Sequence, residues 1–347
     1  MASKRKENKC IINPDGTIKK FEEIAISTKT VIGISNLKID LEKFFTYMPI
    51  TDYTPLEKKR GRKKRIQIVL ANNNLPYGSI ISIQKKKELR GVQLKSKRTV
   101  SSSETPSNKD YFLHSVTLVI ILENNKQINM KVSSNGKLQI TGCKCDDHFV
   151  DSILYVYKIM NDIERWTGET LYSFMSGDHL QVVFNTVMQN MDFNVGFEIN
   201  RQKLDKFIEK HTKHTSIFEG SLATGVNIKV KSNPLIEPTI LKIEYINNEL
   251  VKSYASFEEY TKLLDKKKET KKDKHHTFLV FSSGSVIMSS RGSGMKEIYD
   301  DIVDIFTKNR EHFEMTTEDN EGRELLNRKY KNWPGLCDEE EDEEDDY

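Results

Sequence analysis

The stretch Val280-Phe-Ser-Ser-Gly-Ser-Val-Ile-Met-Ser289, followed by Met295-Lys-Glu-Ile-Tyr-Asp-Asp-Ile302, predicts a tight hairpin and then a helix. Val- and Ile-rich runs flank Ser283-Gly284, and such runs are typical of paired strands. A short turn that contains Gly joins antiparallel strands. The apolar residues that follow share one side of a helix. They are Met295, Ile298, Ile302 and Ile305.

The first half of the chain contains the same pattern. Ser134-Asn-Gly-Lys-Leu-Gln-Ile-Thr-Gly-Cys-Lys144 predicts a hairpin that turns at Asn135-Gly136, and Asp146 and Asp147 open the helix after it. Two copies of the order strand, helix, strands, helix predict an internal pseudo-two-fold axis. The predicted strands are Thr28–Leu37, Ser79–Gln84, Val116–Leu122, Ile128–Ser133 and Lys137–Thr141, then Gln181–Asn194, Val226–Lys231, Ile240–Ile246, Thr277–Phe281 and Ser285–Ser289.

The repeats define the expected domains. A basic tail (1–23) precedes repeat one (24–165), which has insertions at about 50–70 and 85–112. A linker (166–180) leads to repeat two (181–315), which has an insertion at about 247–275, and an acidic tail (316–347) follows. Residues Asp338–Asp346 hold nine acids, so a net charge of +3 for the chain leaves +12 for the rest. A basic body is typical of nucleic-acid binders, although solvation alone explains it equally well.

The two hairpins, the Glu-Ile-Tyr of the second helix and the segment Gln189-Asn190-Met191 resemble the TATA-box-binding protein family. The insertions and the Lys-, Asn- and Ile-rich composition are more similar to homologues from large DNA viruses. The resemblance implies an α+β fold, a saddle made of a curved antiparallel sheet with helices on its convex face. It also implies that the concave face binds the DNA minor groove and that Phe residues in the two hairpins wedge between base steps.

Strand alternation assigns the DNA-facing residues of repeat two as Leu279, Phe281, Ile287 and Ser289, with Phe281 at the wedge position. An exposed apolar cluster on a sheet favours a binding surface. The alternative is that Phe281 packs against the insertion.

Repeat one departs from this pattern, because its DNA-facing residues are Lys131, Ser133, Gln139 and Thr141. Ser133 stands where the wedge Phe is expected, so this hairpin is not expected to intercalate through that residue. Tyr77 is assigned to the second wedge position of repeat one, and the matching position of repeat two falls near Ala223.

Further DNA contacts are assigned to two kinds of residue. Asn36 and Asn190 are matched to the two central Asn residues of the family, which reach acceptors in the minor groove, although Asn also suits turns. Arg60 and Arg62 lie in Lys59-Arg-Gly-Arg-Lys63, which is similar to a minor-groove hook. Phosphate attraction and a nuclear-localisation signal are the other interpretations of that stretch.

The sequence recommends neither an enzyme nor a bound cofactor or metal. It lacks a phosphate-binding Gly-rich loop and a nucleophile elbow, and Cys143 and Cys145 have no spacing that completes a zinc site. Four cysteines without a disulfide pattern and no long apolar run indicate a reducing compartment, the nucleus or a cytoplasmic viral factory, and no membrane.

The leading hypothesis is a promoter factor that is monomeric on A·T-rich duplex DNA. It kinks the DNA and recruits a general transcription factor IIB-like protein and RNA polymerase. One alternative is a protein-interaction scaffold that has lost specific DNA binding, which Lys131 and Ser133 favour. The other is an architectural DNA binder without sequence preference.

Overall fold

The computed structural model describes residues 9–52, 56–58, 67–69, 75–92, 114–220, 224–233, 236–263, 275–317 and 319. Strands in these ranges are β1 (Ile26–Ser35), β2 (Leu37–Ile39), β3 (Leu56–Lys58), β4 (Gln67–Val69), β5 (Ile80–Lys85), β6 (Glu88–Gly91), β7 (Ser115–Leu122), β8 (Lys126–Ser133), β9 (Lys137–Cys143), β10 (Tyr172–Phe174), β11 (Leu180–Asn194), β12 (Thr215–Ile217), β13 (Val226–Lys231), β14 (Ile240–Ile246), β15 (Glu249–Ala255), β16 (His275–Val280) and β17 (Ser285–Ser290). The α-helices are α1 (Leu41–Tyr47), α2 (Asp146–Thr167), α3 (Arg201–His211), α4 (Phe257–Leu263) and α5 (Met295–Lys308).

One antiparallel, curved sheet organises the fold and confirms the α+β saddle expected from the sequence. Its strand order is β12-β13-β16-β17-β11-β1-β9-β8-β7-β5-β6, so β1 and β11 lie side by side at the centre. The hairpin β14–β15 is attached to β11 beside this path. Two small sheets, β10–β2 and β3–β4, lie apart from it.

The two predicted hairpins are present, and each turns on a glycine. Gly136 between β8 and β9 and Gly284 between β16 and β17 both have φ of 75°, which is unfavourable for residues with a Cβ atom. A Cβ at Gly284 would also collide with the carbonyl oxygen of Phe197. These turns therefore fix the strand register in both repeats.

Side chains from one face of the sheet, called here the helix face, form two large cores. Val132 and Leu138 join the core of repeat one with Phe149 of α2, and Val280 and Met288 join the core of repeat two. The ring of Phe184 on β11 lies 4.8 Å from that of Phe149, which ties the central strand to α2. The predicted core alternation is confirmed in both hairpins.

The position of Ile240–Ile246 differs from the prediction. This segment, β14, pairs with β11 from Asn185↔Ile240 to Leu180↔Tyr245 and not with β13. The outer strand of repeat two is β12, which the sequence analysis missed because it is only three residues long. The insertion therefore begins after Lys231, and it contributes β14, β15 and α4.

Two segments without predicted strands are part of the folded structure. In the expected basic tail, Ile11 is fully buried in the core of repeat two, and Phe21 packs edge-to-face against Tyr299 at 5.7 Å. In the expected linker, β10 pairs with β2 from Tyr172↔Ile39 to Phe174↔Leu37. Burial of apolar residues in these segments holds them against the two repeats.

The central strand offers a test of this packing. Phe184→Ala should destabilise the protein by about 3–5 kcal/mol, because it removes a buried ring between β11 and α2. Met188→Ala, on the same strand but 39% exposed, should change the free energy of unfolding by less than about 1 kcal/mol. Chemical denaturation of both variants measures the difference, and equal effects would contradict the packing described.

Candidate nucleic-acid interface

The face opposite the helix face is called here the groove face, and in repeat two it is apolar. Leu279 on β16 is the cross-strand partner of Ile287 on β17, and both alternate with buried residues. Phe281 follows with the same parity, and its backbone N–H donates to the carbonyl oxygen of Ser285 at 2.9 Å. Leu279, Phe281 and Ile287 belong to none of the buried clusters of the described residues. The predicted apolar patch is therefore present outside the cores.

The groove face of repeat one is polar at the corresponding hairpin. Lys131 on β8 pairs with Gln139 on β9, and Asn129 pairs with Thr141. Ser133 ends β8 at the place that Phe281 takes in repeat two. The two halves of the sheet thus present different chemistry at equivalent positions.

On the outer strands the contrast is reversed: the groove face is apolar in repeat one and carries a lysine in repeat two. On β7 in repeat one, Val119 and Ile121 are buried with Ile81. On β13 in repeat two, Lys229 has this parity and pairs with Thr277. Positive charge on the groove face is therefore displaced from the hairpin in repeat one to the outer strand in repeat two.

Strand register identifies the symmetry mate of Asn190. On β11, Asn190 is opposite Thr28 of β1 and Ser289 of β17. On β1, Thr30 is opposite Met188 of β11 and Thr141 of β9, which repeats the same arrangement. The mate of Asn190 is therefore Thr30, and the predicted symmetric pairing of Asn36 with Asn190 is wrong.

Asn36 has a structural role at the end of β1. Its amide nitrogen donates to the carbonyl oxygens of Ser176 at 2.7 Å and His179 at 2.8 Å. Its side-chain oxygen accepts the N–H of Gln181 at 3.0 Å. These three bonds satisfy backbone groups in the connection to β11, which is the local use of Asn that the sequence left as an alternative.

The side chain of Asn190 differs from that of Asn36 in its hydrogen bonding. Its side-chain oxygen is buried and has no hydrogen-bond partner among the described residues, and the same holds for Asn185 and Asn227 on the groove face. A buried acceptor without a partner costs about 1–3 kcal/mol. Three such amide oxygens therefore lie on one face of the sheet.

Tyr77 lies on the helix face, which contradicts its assignment to a wedge. Its hydroxyl donates to Asp151 of α2 at 2.7 Å, and its ring packs edge-to-face on Tyr155 at 5.3 Å. Burial raises the pKa of Tyr77 above its usual value, and the bond to Asp151 adds to this. The assignment failed because β7, and not β5, pairs with β8. Ala223 lies outside the described residues.

Arg60 and Arg62 also lie outside the described residues. The strands on either side of them are described: β3 pairs with β4 from Leu56↔Val69 to Lys58↔Gln67. Their assignment to DNA stays a prediction.

Sequence reasoning missed a helix on the groove face. Tyr260 of α4 is 3% exposed and packs with Val183 of β11 and Ile240 of β14, and Phe257 and Ile34 join them. A capping box starts this helix. The Ser256 N–H donates to Glu259 at 2.8 Å and the Glu259 N–H to the Ser256 hydroxyl at 3.2 Å. The Ser-x-x-Glu spacing was visible in the sequence.

Asp192 is a second residue that the sequence analysis missed. It alternates with the buried Met191 and Phe193 and is opposite Ile287, so its carboxylate lies on the groove face. Lys9 contacts one carboxylate oxygen at 3.2 Å, and the Ser27 hydroxyl donates to the other at 3.2 Å.

Three further features of the described residues concern metal binding, cysteine reactivity and membrane crossing. Those residues contain no group of three His, Cys, Asp or Glu side chains that could hold a metal. Burial raises the pKa of Cys143 to about 12, so this thiol is not a ready nucleophile or ligand at neutral pH. Among the helices of the described residues, none is both long and apolar enough to cross a membrane.

Comparison with known proteins gives two viral relatives, while no protein-family model matches. The chain is 23% identical to uncharacterized protein 335L of Invertebrate iridescent virus 6, over 86% of this chain and 85% of that protein. It is 25% identical to a TATA-box-binding protein-like protein of Acanthamoeba polyphaga mimivirus, over 59% of this chain and 54% of that protein.

A solved structure, the TBP of Methanococcus jannaschii, aligns with 82% of this chain and 98% of its own, at 12% identity and a TM-score of 0.39. That score is low. The mimivirus relative, the two-fold-repeated sheet and the repeated hairpins carry the likeness. The chain is similar to proteins of two viruses, one of which is named TATA-box-binding protein-like.

Proposed function

We propose that this protein binds A·T-rich duplex DNA through the minor groove and bends it, as a transcription initiation factor and not as an enzyme. The observation that carries the proposal is the apolar patch Leu279, Phe281 and Ile287 on the groove face, next to the polar row Asn190 and Ser289. Apolar wedges open base steps, and amide or hydroxyl donors suit the acceptors of A·T pairs.

The difference between the repeats implies one strong kink. Phe281 can insert between base pairs, whereas Ser133 has neither the size nor the apolar surface to do so. Lys131 and Gln139 suit phosphates and groove edges instead. We therefore expect a bend concentrated at the end of the site that repeat two covers.

Partners follow from the same function. A bent duplex leaves the helix face available, and a general transcription factor IIB-like protein and RNA polymerase are the partners we propose for it. The protein would act as a monomer on DNA, in the nucleus or in a cytoplasmic viral factory.

A protein-interaction scaffold is the second candidate. Ser133 favours it because it cannot act as a wedge, and the carboxylate of Asp192 favours it because an acid on the groove face repels DNA phosphates. Binding to an A·T-rich and a G·C-rich duplex at one salt concentration separates the candidates. A preference for A·T supports the initiation factor, equal binding an architectural protein, and no binding the scaffold.

Phe281→Ala should weaken DNA binding about tenfold or more and reduce the bend, because the area of the interface and the bend are coupled in this mode. Ser133→Phe should do the reverse and add a second kink, while Ser133→Ala is the matched control without effect. Fluorescence energy transfer between labelled duplex ends measures the bend, and thermal unfolding checks the fold. A folded Phe281→Ala protein that bends DNA as the parent does would contradict the wedge.

Asn36 and Asn190 should respond in opposite ways to substitution by alanine. Asn36→Ala should lower the free energy of unfolding by about 1–3 kcal/mol, since it leaves backbone groups unpaired. The folded fraction should bind DNA normally. Asn190→Ala should keep stability and lose affinity. Denaturation and anisotropy titration of both variants check this, and a DNA defect confined to Asn36→Ala would restore the original assignment.

Replacing Arg60 and Arg62 together by alanine should flatten the salt dependence of binding. The slope of log K against log salt should fall by about 0.9 for each phosphate that the protein no longer neutralises, with the A·T preference kept. Arg165→Ala on α2, where the side chain is 73% exposed away from the groove face, is the control. An unchanged slope would remove Arg60 and Arg62 from the interface.

A further inference from the structure

Two rows of side chains cross the groove face of repeat two. The first row is polar and joins Thr28, Asn190, Ser289 and Thr277 across β1, β11, β17 and β16. The second row lies one step nearer to Phe281 and joins Asp192, Ile287, Leu279 and Asn227. Asp192 is therefore within the surface proposed to contact base edges, between the wedge and the centre of the sheet.

An acid at this place has one complementary partner in the minor groove. A·T and T·A pairs present only acceptors there, whereas a G·C pair adds the 2-amino donor of guanine. A carboxylate accepts hydrogen bonds and donates none when ionised, so it is repelled by A·T acceptors and satisfied by that amino group. The amide nitrogen of Asn190, by contrast, is a donor and suits the acceptors of A·T pairs.

The carboxylate retains capacity for a further donor. Lys9 and the Ser27 hydroxyl each contact one of its oxygens at 3.2 Å, and a carboxylate has about four lone-pair sites. The Lys9 charge also offsets the repulsion between Asp192 and DNA phosphates. The Asp192 side chain is 30% exposed, so a ligand on the groove face can reach it.

Repeat one has no equivalent acid. With Thr30 as the mate of Asn190, the mate of Asp192 two residues further along β1 is Ile32, which is opposite Gln139. At these two equivalent positions, therefore, repeat two has a carboxylate and repeat one has an aliphatic side chain that cannot accept a hydrogen bond.

Resting on the proposed DNA binding, we propose that Asp192 is a specificity-determining residue. It selects a G·C pair, through the 2-amino group in the minor groove, at one position on the repeat-two side of an otherwise A·T-rich site. Because Ile32 cannot do the same, this pair also fixes the orientation of the protein on the DNA.

Modified bases test the amino group directly. Starting from an A·T-rich duplex that the full-length protein binds, each A·T pair is replaced in turn by G·C, inosine·C or 2,6-diaminopurine·T. Inosine is guanine without the 2-amino group, and diaminopurine is adenine with it. At one position, G·C and diaminopurine·T should bind roughly tenfold tighter than A·T and inosine·C. Anisotropy titrations give the affinities.

Three variants assign the effect. Asp192→Ile copies the residue of repeat one and should abolish the amino preference while A·T duplexes still bind. Asp192→Ala removes the acceptor without adding bulk and should abolish the preference too. Lys9→Ala keeps the carboxylate, so it should weaken binding overall and retain the preference. Thermal unfolding checks each fold, and Asp192→Ala decides the matter if Asp192→Ile does not fold.

Several outcomes would overturn the inference. An amino preference at no position, or one that survives in both Asp192 variants, removes Asp192 from base recognition and leaves the proposed function standing. A preference that disappears equally in Lys9→Ala assigns the effect to the ion pair and not to the carboxylate. Failure of every duplex to bind overturns this inference and the proposed function together.

Discussion

The antiparallel pairing of β1 with β11 is the constraint on which the rest of the structure depends. These strands lie at the centre of the sheet. On their other edges, β1 pairs with β9 of the first hairpin and β11 pairs with β17 of the second. Because side chains alternate with period two, a slip of one residue at this pair would move the groove-face residues of the slipped strand to the helix face. The glycine turns at Gly136 and Gly284 hold the same register at both hairpins.

The sequence predicted the parts of the fold that local patterns determine. The hairpins, the long helix α2 and the core alternation at Val280 and Met288 are seen in the structure. Partners between distant strands were less predictable, because periodicity shows which residues share a face but not which strands are neighbours. Ile240–Ile246 is a good strand by composition and nevertheless belongs to an insertion on β11.

The same limit explains the errors in the candidate site. Asn36 precedes a Leu much as a family residue does, but its place in the register gives it backbone groups to cap. Tyr77 precedes a strand as expected, but that strand is the neighbour of β7 and not of β8. The face of the sheet on which Leu279 and Ile287 lie was predicted correctly, because it depends only on parity within one hairpin. Their contact with DNA stays a prediction.

The insertion gives the groove face a boundary that the repeats alone do not provide. Burial of Tyr260 and Phe257 against Val183 and Ile34 removes apolar surface from water, and this stabilises α4 over the first half of β11. Lys9 lies beside Asp192 toward the other end of the same strand. The length of β11 between them contains Asn190, and no described residue outside the sheet joins Leu279, Phe281 or Ile287 in a buried cluster. A ligand that crosses the centre of the described groove face between α4 and Lys9 would meet the polar row there and the apolar patch of Leu279, Phe281 and Ile287 on the side of repeat two.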